Sequence, residues 1–270
     1  MLRIRQKLGK YRIERRLGTG GFANVYAARD TVEGLHVALK VPHARIVDDK
    51  VLEQLRHEIR MCIRLEHPNI LPLRFAGFYE DEFIISLPLG EETLQERLSR
   101  RMSLELALDL SLQILEAVAC AHRQKVVHCD IKPENMILFP GNRLKLADFG
   151  IARVAQKTLQ GGGTGTVGYM APEQAMGKPS FRADVFSIGL VLCRMFSGEW
   201  PEYPFDWPTP GHRRLRSNLH PDLIEILRRS LELNPRKRFR DADQMLTAFR
   251  PAMRRTLKRN EDRRRKRQTG

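Results

Sequence analysis

The densest chemistry in this chain lies in one run, His128-Cys129-Asp130-Ile131-Lys132-Pro133-Glu134-Asn135, followed after a short gap by Asp148-Phe149-Gly150. Asp130 offers a carboxylate that can orient or deprotonate a hydroxyl. Lys132 offers a mobile point charge for a phosphate. Asn135 and Asp148 offer hard oxygen ligands suited to magnesium. Singly, each is an ordinary solvated loop residue. Together, within about twenty residues, they equip a fold to transfer the terminal phosphoryl of ATP to a hydroxyl.

Two upstream features complete that chemistry. Gly18-x-Gly20-x-x-Ala23-x-Val25 is a glycine-rich turn between two extended segments, with Gly21 as a further flexible residue at its tip. Phosphates need backbone N–H groups brought close, and a side chain at Gly18 or Gly20 would obstruct them. A dinucleotide fold would require a helix after the turn, whereas Asn24-Val25-Tyr26-Ala27 reads as strand. Val37-Ala38-Leu39-Lys40 then supplies a lysine on a strand.

These motifs resemble those of the eukaryotic-type (Hanks-type) Ser/Thr protein kinases over roughly residues 11–251. The Lys-Pro-Glu-Asn loop and the Ala-Pro-Glu-Gln run at 171–174 look most like bacterial members. The resemblance implies ATP with Mg2+ (Mn2+ as an alternative) and protein substrates carrying Ser or Thr. Asp130 becomes the base or hydroxyl-orienting group, Lys132 and Thr166 its neighbours at the substrate, and Asn135 and Asp148 the metal ligands. Lys40 meets the first two phosphates and pairs with Glu58, nine residues before His67, with Glu53 as the other candidate. Val25 and Ala38 cover one face of adenine and Ile137 the other. Ser86 falls at the gatekeeper position, and the backbone of Leu87 and Leu89 holds the base across Pro88. Cys62, Phe149 and His128 form a packed column tied to Asp184, and Glu173 is buried against Arg238. Cys129 departs from the pattern, standing where most such kinases have Arg. It lacks the charge to receive an activating phosphate at Thr158 or Thr164, which implies activity independent of one, with Arg153 as a substitute contact.

The elements that must position these groups imply an α+β, bilobal protein-kinase-like fold. A small antiparallel sheet with one main helix occupies about 11–87, a hinge 87–90, and a larger, mostly helical lobe 91–251. Strands are expected at 11–17, 23–29, 35–41, 71–79 and 83–87, and a helix at 49–65 stopped by His67-Pro68. In the second lobe Ser103 caps a buried helix to about His122, short strands lie at 136–139 and 144–146, and Gly198 ends a helix opened by Ser180 or Arg182. Residues 213–218 read as polar linker and 222–233 as helix. Asp241 with Gln244 forms a capping box for the last one.

The 270 residues carry 47 Lys or Arg against 32 Asp or Glu, a net charge of +15. Nine basic and two acidic residues between Arg254 and Arg267 supply nearly half of it. Residues 252–270 therefore read as a basic, partly disordered tail, a surface for an acidic partner or an anionic membrane. The tail lacks the aromatic interleaving of a nucleic-acid module. Four scattered cysteines exclude a disulfide framework or a zinc site, and no apolar run is long enough for a signal or membrane segment, so a cytoplasmic setting is expected. The rival reading is a pseudokinase that binds nucleotide or acts as a scaffold.

Overall fold

The computed structural model describes residues 2–43, 49–149 and 167–268. Its first lobe is a six-stranded antiparallel sheet ordered β1-β2-β3-β4-β6-β5, formed by β1 (Lys7–Leu8), β2 (Tyr11–Thr19), β3 (Ala23–Asp30), β4 (His36–Pro42), β5 (Phe75–Tyr79) and β6 (Glu82–Pro88). Side chains alternate across a strand, and directly opposed residues share a face. Two rows of paired residues therefore separate. Tyr26, Leu39, Ser86 and Phe75 form one. Val25, Lys40, Ile85 and Ala76 form the other.

The first row's face is filled by Tyr11, Ile13, Val37 and Ile84. Helix α1 (Asp49–Ile63) covers the second through Val51, Leu55 and Ile59, which meet Phe22, Phe83 and Ile85. Of the run 71–79, the strand begins only at Phe75. Before it, Leu71 donates its N–H to the Leu146 carbonyl at 2.9 Å, tying this stretch to the second lobe.

The second lobe holds a three-stranded sheet of β7 (Glu92–Thr93), β8 (Met136–Phe139) and β9 (Arg143–Leu146) beside helices. These are α2 (Leu94–Arg97), α3 (Leu104–Arg123), α4 (Pro172–Ala175), α5 (Phe181–Ser197), α6 (His212–Asn218), α7 (Pro221–Ser230) and α8 (Ala242–Gln268). Ser103 accepts the Leu106 N–H at the start of α3, and Ser180 does the same for Ala183 at α5. Gly198, at φ +78°, ends α5 in the left-handed conformation that glycine adopts without strain. Helix α5 is apolar on nearly every side and is buried along most of its length, as a central helix must be.

Two expectations need correction. The segment 213–218 is helix α6, whose Leu215 is fully buried. The basic segment from 252 is not a disordered tail but the continuation of α8. Although Pro251 removes one helical N–H, the apolar spacing runs on through Phe249, Ala252, Met253, Thr256 and Leu257 against the core. Its basic side chains are put to structural use. Arg259 and Asn260 donate to the Leu219 and Asn218 carbonyls at 2.6 and 2.7 Å, satisfying the last carbonyls of α6. Arg255 pairs with Asp222, and Arg264 with Glu105.

Candidate active site

Asp184, 1% exposed on α5, accepts the N–H of His128 at 2.7 Å and that of Cys129 at 2.9 Å. These bonds hold the loop where Cys129 takes φ +68°, a left-handed conformation disfavoured for a residue with a Cβ. Gln174 adds a third tie by donating Nε2 to the Cys129 carbonyl at 2.6 Å. The Asp130 N–H donates to His128 Nδ1 at 3.2 Å, so the ring proton sits on Nε2 and is donated to the Ala147 carbonyl at 2.9 Å. Both nitrogens are therefore engaged, and His128 is a packing group, not a base.

What this scaffold presents is the carboxylate of Asp130. Its Oδ2 accepts from Lys132 Nζ at 2.9 Å and from Asn135 Nδ2 at 2.8 Å. Its Oδ1 has no partner among the described residues, and the side chain is 24% exposed. One oxygen is held twice and the other is left without a partner among the described residues.

Asp148, at φ +66°, aims its carboxylate at Lys40, with Oδ1 to Nζ at 2.8 Å. Burial works to raise its pKa, and the adjacent ammonium outweighs burial and holds it below the ordinary carboxylate value. The expected Lys40–Glu58 pair is not formed. Among the described residues, Lys40 makes its ion pair with Asp148 and Glu58 makes none. Glu53 instead pairs with Arg56 on the exposed side. Helix α1 turns Leu55 and Ile59 to the sheet and leaves Glu58 half-buried beside them, and the ammonium is taken by Asp148. Burial, with the charges of Glu58 and Asp148, pushes the Cys62 thiol up to about 12. The neutral thiol donates to the Phe149 carbonyl at 2.9 Å, and the Phe149 ring lies 4.5 Å from that of His128. Cys62, Phe149, His128 and Asp184 thus form the expected column.

The glycine-rich turn joins β2 to β3 through Gly18, Gly20 and Gly21, with the Gly20 N–H donating to the Ala23 carbonyl at 2.9 Å. Val25 shares the sheet face of Lys40, and so do Ala38 and Leu87, which oppose each other. Ser86 does not. It pairs with Leu39, on the opposite face, buried and with no partner for its hydroxyl. A one-residue step along a strand flips the side chain, so Ile85 stands across from Lys40 and Ser86, expected at the gatekeeper position, is turned to the other face. Leu89 follows β6, and Ile137 lies on β8. Between them, a Cβ on Gly90 would lie 2.7 Å from the Leu138 carbonyl and collide with Ile137, so only glycine fits there. Gly150, Arg153, Thr158, Thr164, Gly165 and Thr166 lie outside the described residues.

Glu173 meets Arg238 in a two-pronged pair at 2.6 and 3.1 Å. Arg238, its side chain fully buried, also donates to the carbonyls of Glu232, Arg182 and Leu233 and lies over the Phe186 ring. Sequence reasoning missed Gln174 and His122. The Ala242 N–H donates to His122 Nδ1 at 3.0 Å, and Nε2 donates to Asp184 at 2.9 Å. A histidine on the largely apolar inner face of α3 was the available signal.

The donor set fits a magnesium ion that brings its own phosphates. Asn135 spends its amide N–H on Asp130, leaving Oδ1, and Asp148 is held ionised. Magnesium in such sites takes one or two protein ligands and fills its sphere with phosphate and water. No cluster of three or more His, Cys, Asp or Glu side chains fit to hold a metal occurs among the described residues.

The chain is similar to known proteins. The protein kinase domain model matches residues 11–249. Serine/threonine-protein kinase PrkC of Bacillus subtilis is 30% identical over 258 residues, covering 88% of this chain and 39% of that protein. An Aurora kinase of Schizosaccharomyces pombe is 33% identical over 245 residues, covering 86% and 68%. The crystal structure of the Mycobacterium tuberculosis PknI kinase domain superposes with a TM-score of 0.72 at 23% identity, over 93% of this chain and 99% of that one. The chain thus spans about two fifths of the length of PrkC. The model match over most of its length places the chain in the Hanks-type protein kinase family, and its bilobal frame agrees.

Proposed function

We propose that this protein is an ATP-dependent Ser/Thr protein kinase. One observation carries the reading: Asp130 has Oδ2 locked by Lys132 and Asn135 and Oδ1 open. A substrate hydroxyl donating to Oδ1 would be aligned for attack, with its proton accepted late while positioning does most of the work. Lys132, 2.9 Å from that carboxylate, suits a Ser or Thr acceptor and is placed to neutralise charge on the moving phosphoryl. Lys40, Asn135 and Asp148 would hold ATP with Mg2+, which supplies the phosphoryl group and offsets its charge. Cys62, Cys120, Cys129 and Cys193, largely buried and none of them in a disulfide, suit a reducing, cytoplasmic setting.

Cys129 sharpens the proposal. Its side chain is 3% exposed, packed inside a loop already fixed by Asp184 and Gln174. The loop's order therefore comes from those bonds and needs no phosphate on the activation segment. The test is incubation with γ-labelled ATP, magnesium and a generic basic protein, followed by phosphoamino-acid analysis. Label on serine and threonine is the expected result; label confined to tyrosine, or none, opposes the reading.

A further inference from the structure

The tip of the glycine-rich turn is held from two sides by residues outside the catalytic set. Phe22, at the tip, is 6% exposed and packs against Val51, Leu55 and Ile59 of α1 and against Phe83 and Ile85 of the sheet. Its carbonyl accepts the N–H of His43 at 2.9 Å, just past the end of β4. The His43 ring then reaches to the turn. Asn24 Nδ2 faces His43 Nδ1 at 3.4 Å, which leaves the ring proton on Nε2, 2.9 Å from the Gly20 carbonyl. Thr19 closes the circuit by donating Oγ1 to Asn24 Oδ1 at 3.0 Å.

We propose that His43 and Phe22 form a pin that sets the height of the glycine-rich turn and couples it to α1, so that both are positioning residues for the phosphates of the nucleotide. This rests on the kinase reading above. The physical need is specific. Glycines let backbone approach phosphate, but an unrestrained glycine tip must lose much conformational freedom when it orders around a ligand. A tip anchored below by an aromatic ring and at its carbonyl by an imidazole has lost that freedom beforehand. Because Phe22 sits on the same apolar stripe that seats α1, displacement of α1 moves the turn as well. Phosphate affinity thereby becomes sensitive to the helix that carries Glu58.

The test is calorimetric titration of wild type, His43→Ala, His43→Gln and Phe22→Ala with Mg-ATP and, separately, with adenosine, each variant first shown to melt cooperatively. Adenosine reports the base and ribose site alone, since it lacks the phosphates the turn would meet. His43→Ala and Phe22→Ala should weaken Mg-ATP at least fivefold and leave adenosine within twofold. His43→Gln, whose amide can still donate to the Gly20 carbonyl, should stay within twofold of wild type for both. Unchanged Mg-ATP binding in His43→Ala would overturn the pin, as would an equal loss for adenosine. Wild type binding both ligands while every variant matches it removes this inference alone. Wild type binding neither removes the kinase reading and the pin together. If Phe22→Ala does not fold, Phe22→Leu, which shortens the contact without emptying it, takes its place with an intermediate loss expected.

Discussion

Asn135 grips Asp130 twice across five residues, its Nδ2 donating at 2.8 Å both to Oδ2 and to the backbone carbonyl. The bond to the carbonyl fixes the loop and the bond to Oδ2 fixes the carboxylate rotamer, so one side chain sets both the place and the aim of the Asp130 carboxylate. Asn135→Ala should therefore harm catalysis beyond the loss of a metal ligand. Its kcat should fall at least about 100-fold, and raised magnesium should not restore it. Recovery to within tenfold at high magnesium would mean that the grip on Asp130 contributes little.

Breaking the Glu173–Arg238 pair should be costly. Arg238 is fully buried and keeps three carbonyl partners, but its charge would lose its counter-ion. Glu173→Gln should lower stability by about 3–5 kcal/mol, as for other buried pairs that lose one member. Urea denaturation measures it, and a loss below about 1 kcal/mol would place the pair with weak surface bridges.

A third prediction concerns pH. Asp30, its side chain 2% exposed, resists burial's upward push because Lys10 and the N–H groups of Glu33 and Val32 hold its carboxyl low. Lys10 is raised, chiefly by Asp30. A lowered acid contributes stability above its unfolded value, about 3.9, and loses it as pH falls through the folded value. A raised lysine contributes below about 10.4 and loses it as pH climbs through its folded value. The pair is thus at full strength between about pH 4 and 10. Asp30→Asn should lower stability at pH 7 by about 1.5–3 kcal/mol, with the gap to wild type closing below about pH 4. A gap that does not narrow as pH falls below about 4 would contradict this.

Helix α8 supplies the fourth. Ending the chain at Pro251 removes Ala252 and Thr256, both fully buried, and the Arg259 and Asn260 bonds to the end of α6. The truncated protein should lose about 3 kcal/mol or more. Denaturation indistinguishable from the full chain would show that α8 only rests on the lobe.

Much of this was legible in the residues, and where it failed the cause is physical. Ser103, Ser180 and Gly198 announce helix ends by local chemistry, which a sequence displays directly. The order Lys40, Asp130, Asn135, Asp148 is likewise visible, because the chemistry demands those residue types. Ser86 was placed on the wrong face because a strand's register is set by its neighbours, and one step inverts it. The Lys40–Glu58 pair was expected from spacing, yet which carboxylate reaches the ammonium depends on the turn at Asp148 and the phase of α1. The basic end of α8 read as a tail because charge is conspicuous, whereas its stripe of Ala252, Thr256 and Leu257 is sparse. Gln174 and His122 bind backbone groups far away in sequence, a relationship no local pattern encodes.

Cys129 yields the last structural prediction. Phosphatase-treated protein should phosphorylate a peptide at a rate within tenfold of protein allowed to autophosphorylate, because Asp184 and Gln174 already order the loop. Activation beyond tenfold, abolished by Thr158→Ala or Thr164→Ala, would show that a phosphate does order it.

The most direct measurement is the initial rate of phosphoryl transfer from Mg-ATP to a Ser-containing peptide by wild type and by Asp130→Asn, both shown to be folded by thermal melting. The open Oδ1 as the hydroxyl-orienting oxygen predicts measurable transfer by wild type and a fall of at least about 100-fold in the variant, with ATP binding unchanged. Equal rates in the two proteins, or no transfer by wild type that nevertheless binds ATP, would contradict the assignment of Asp130 and with it the proposed activity.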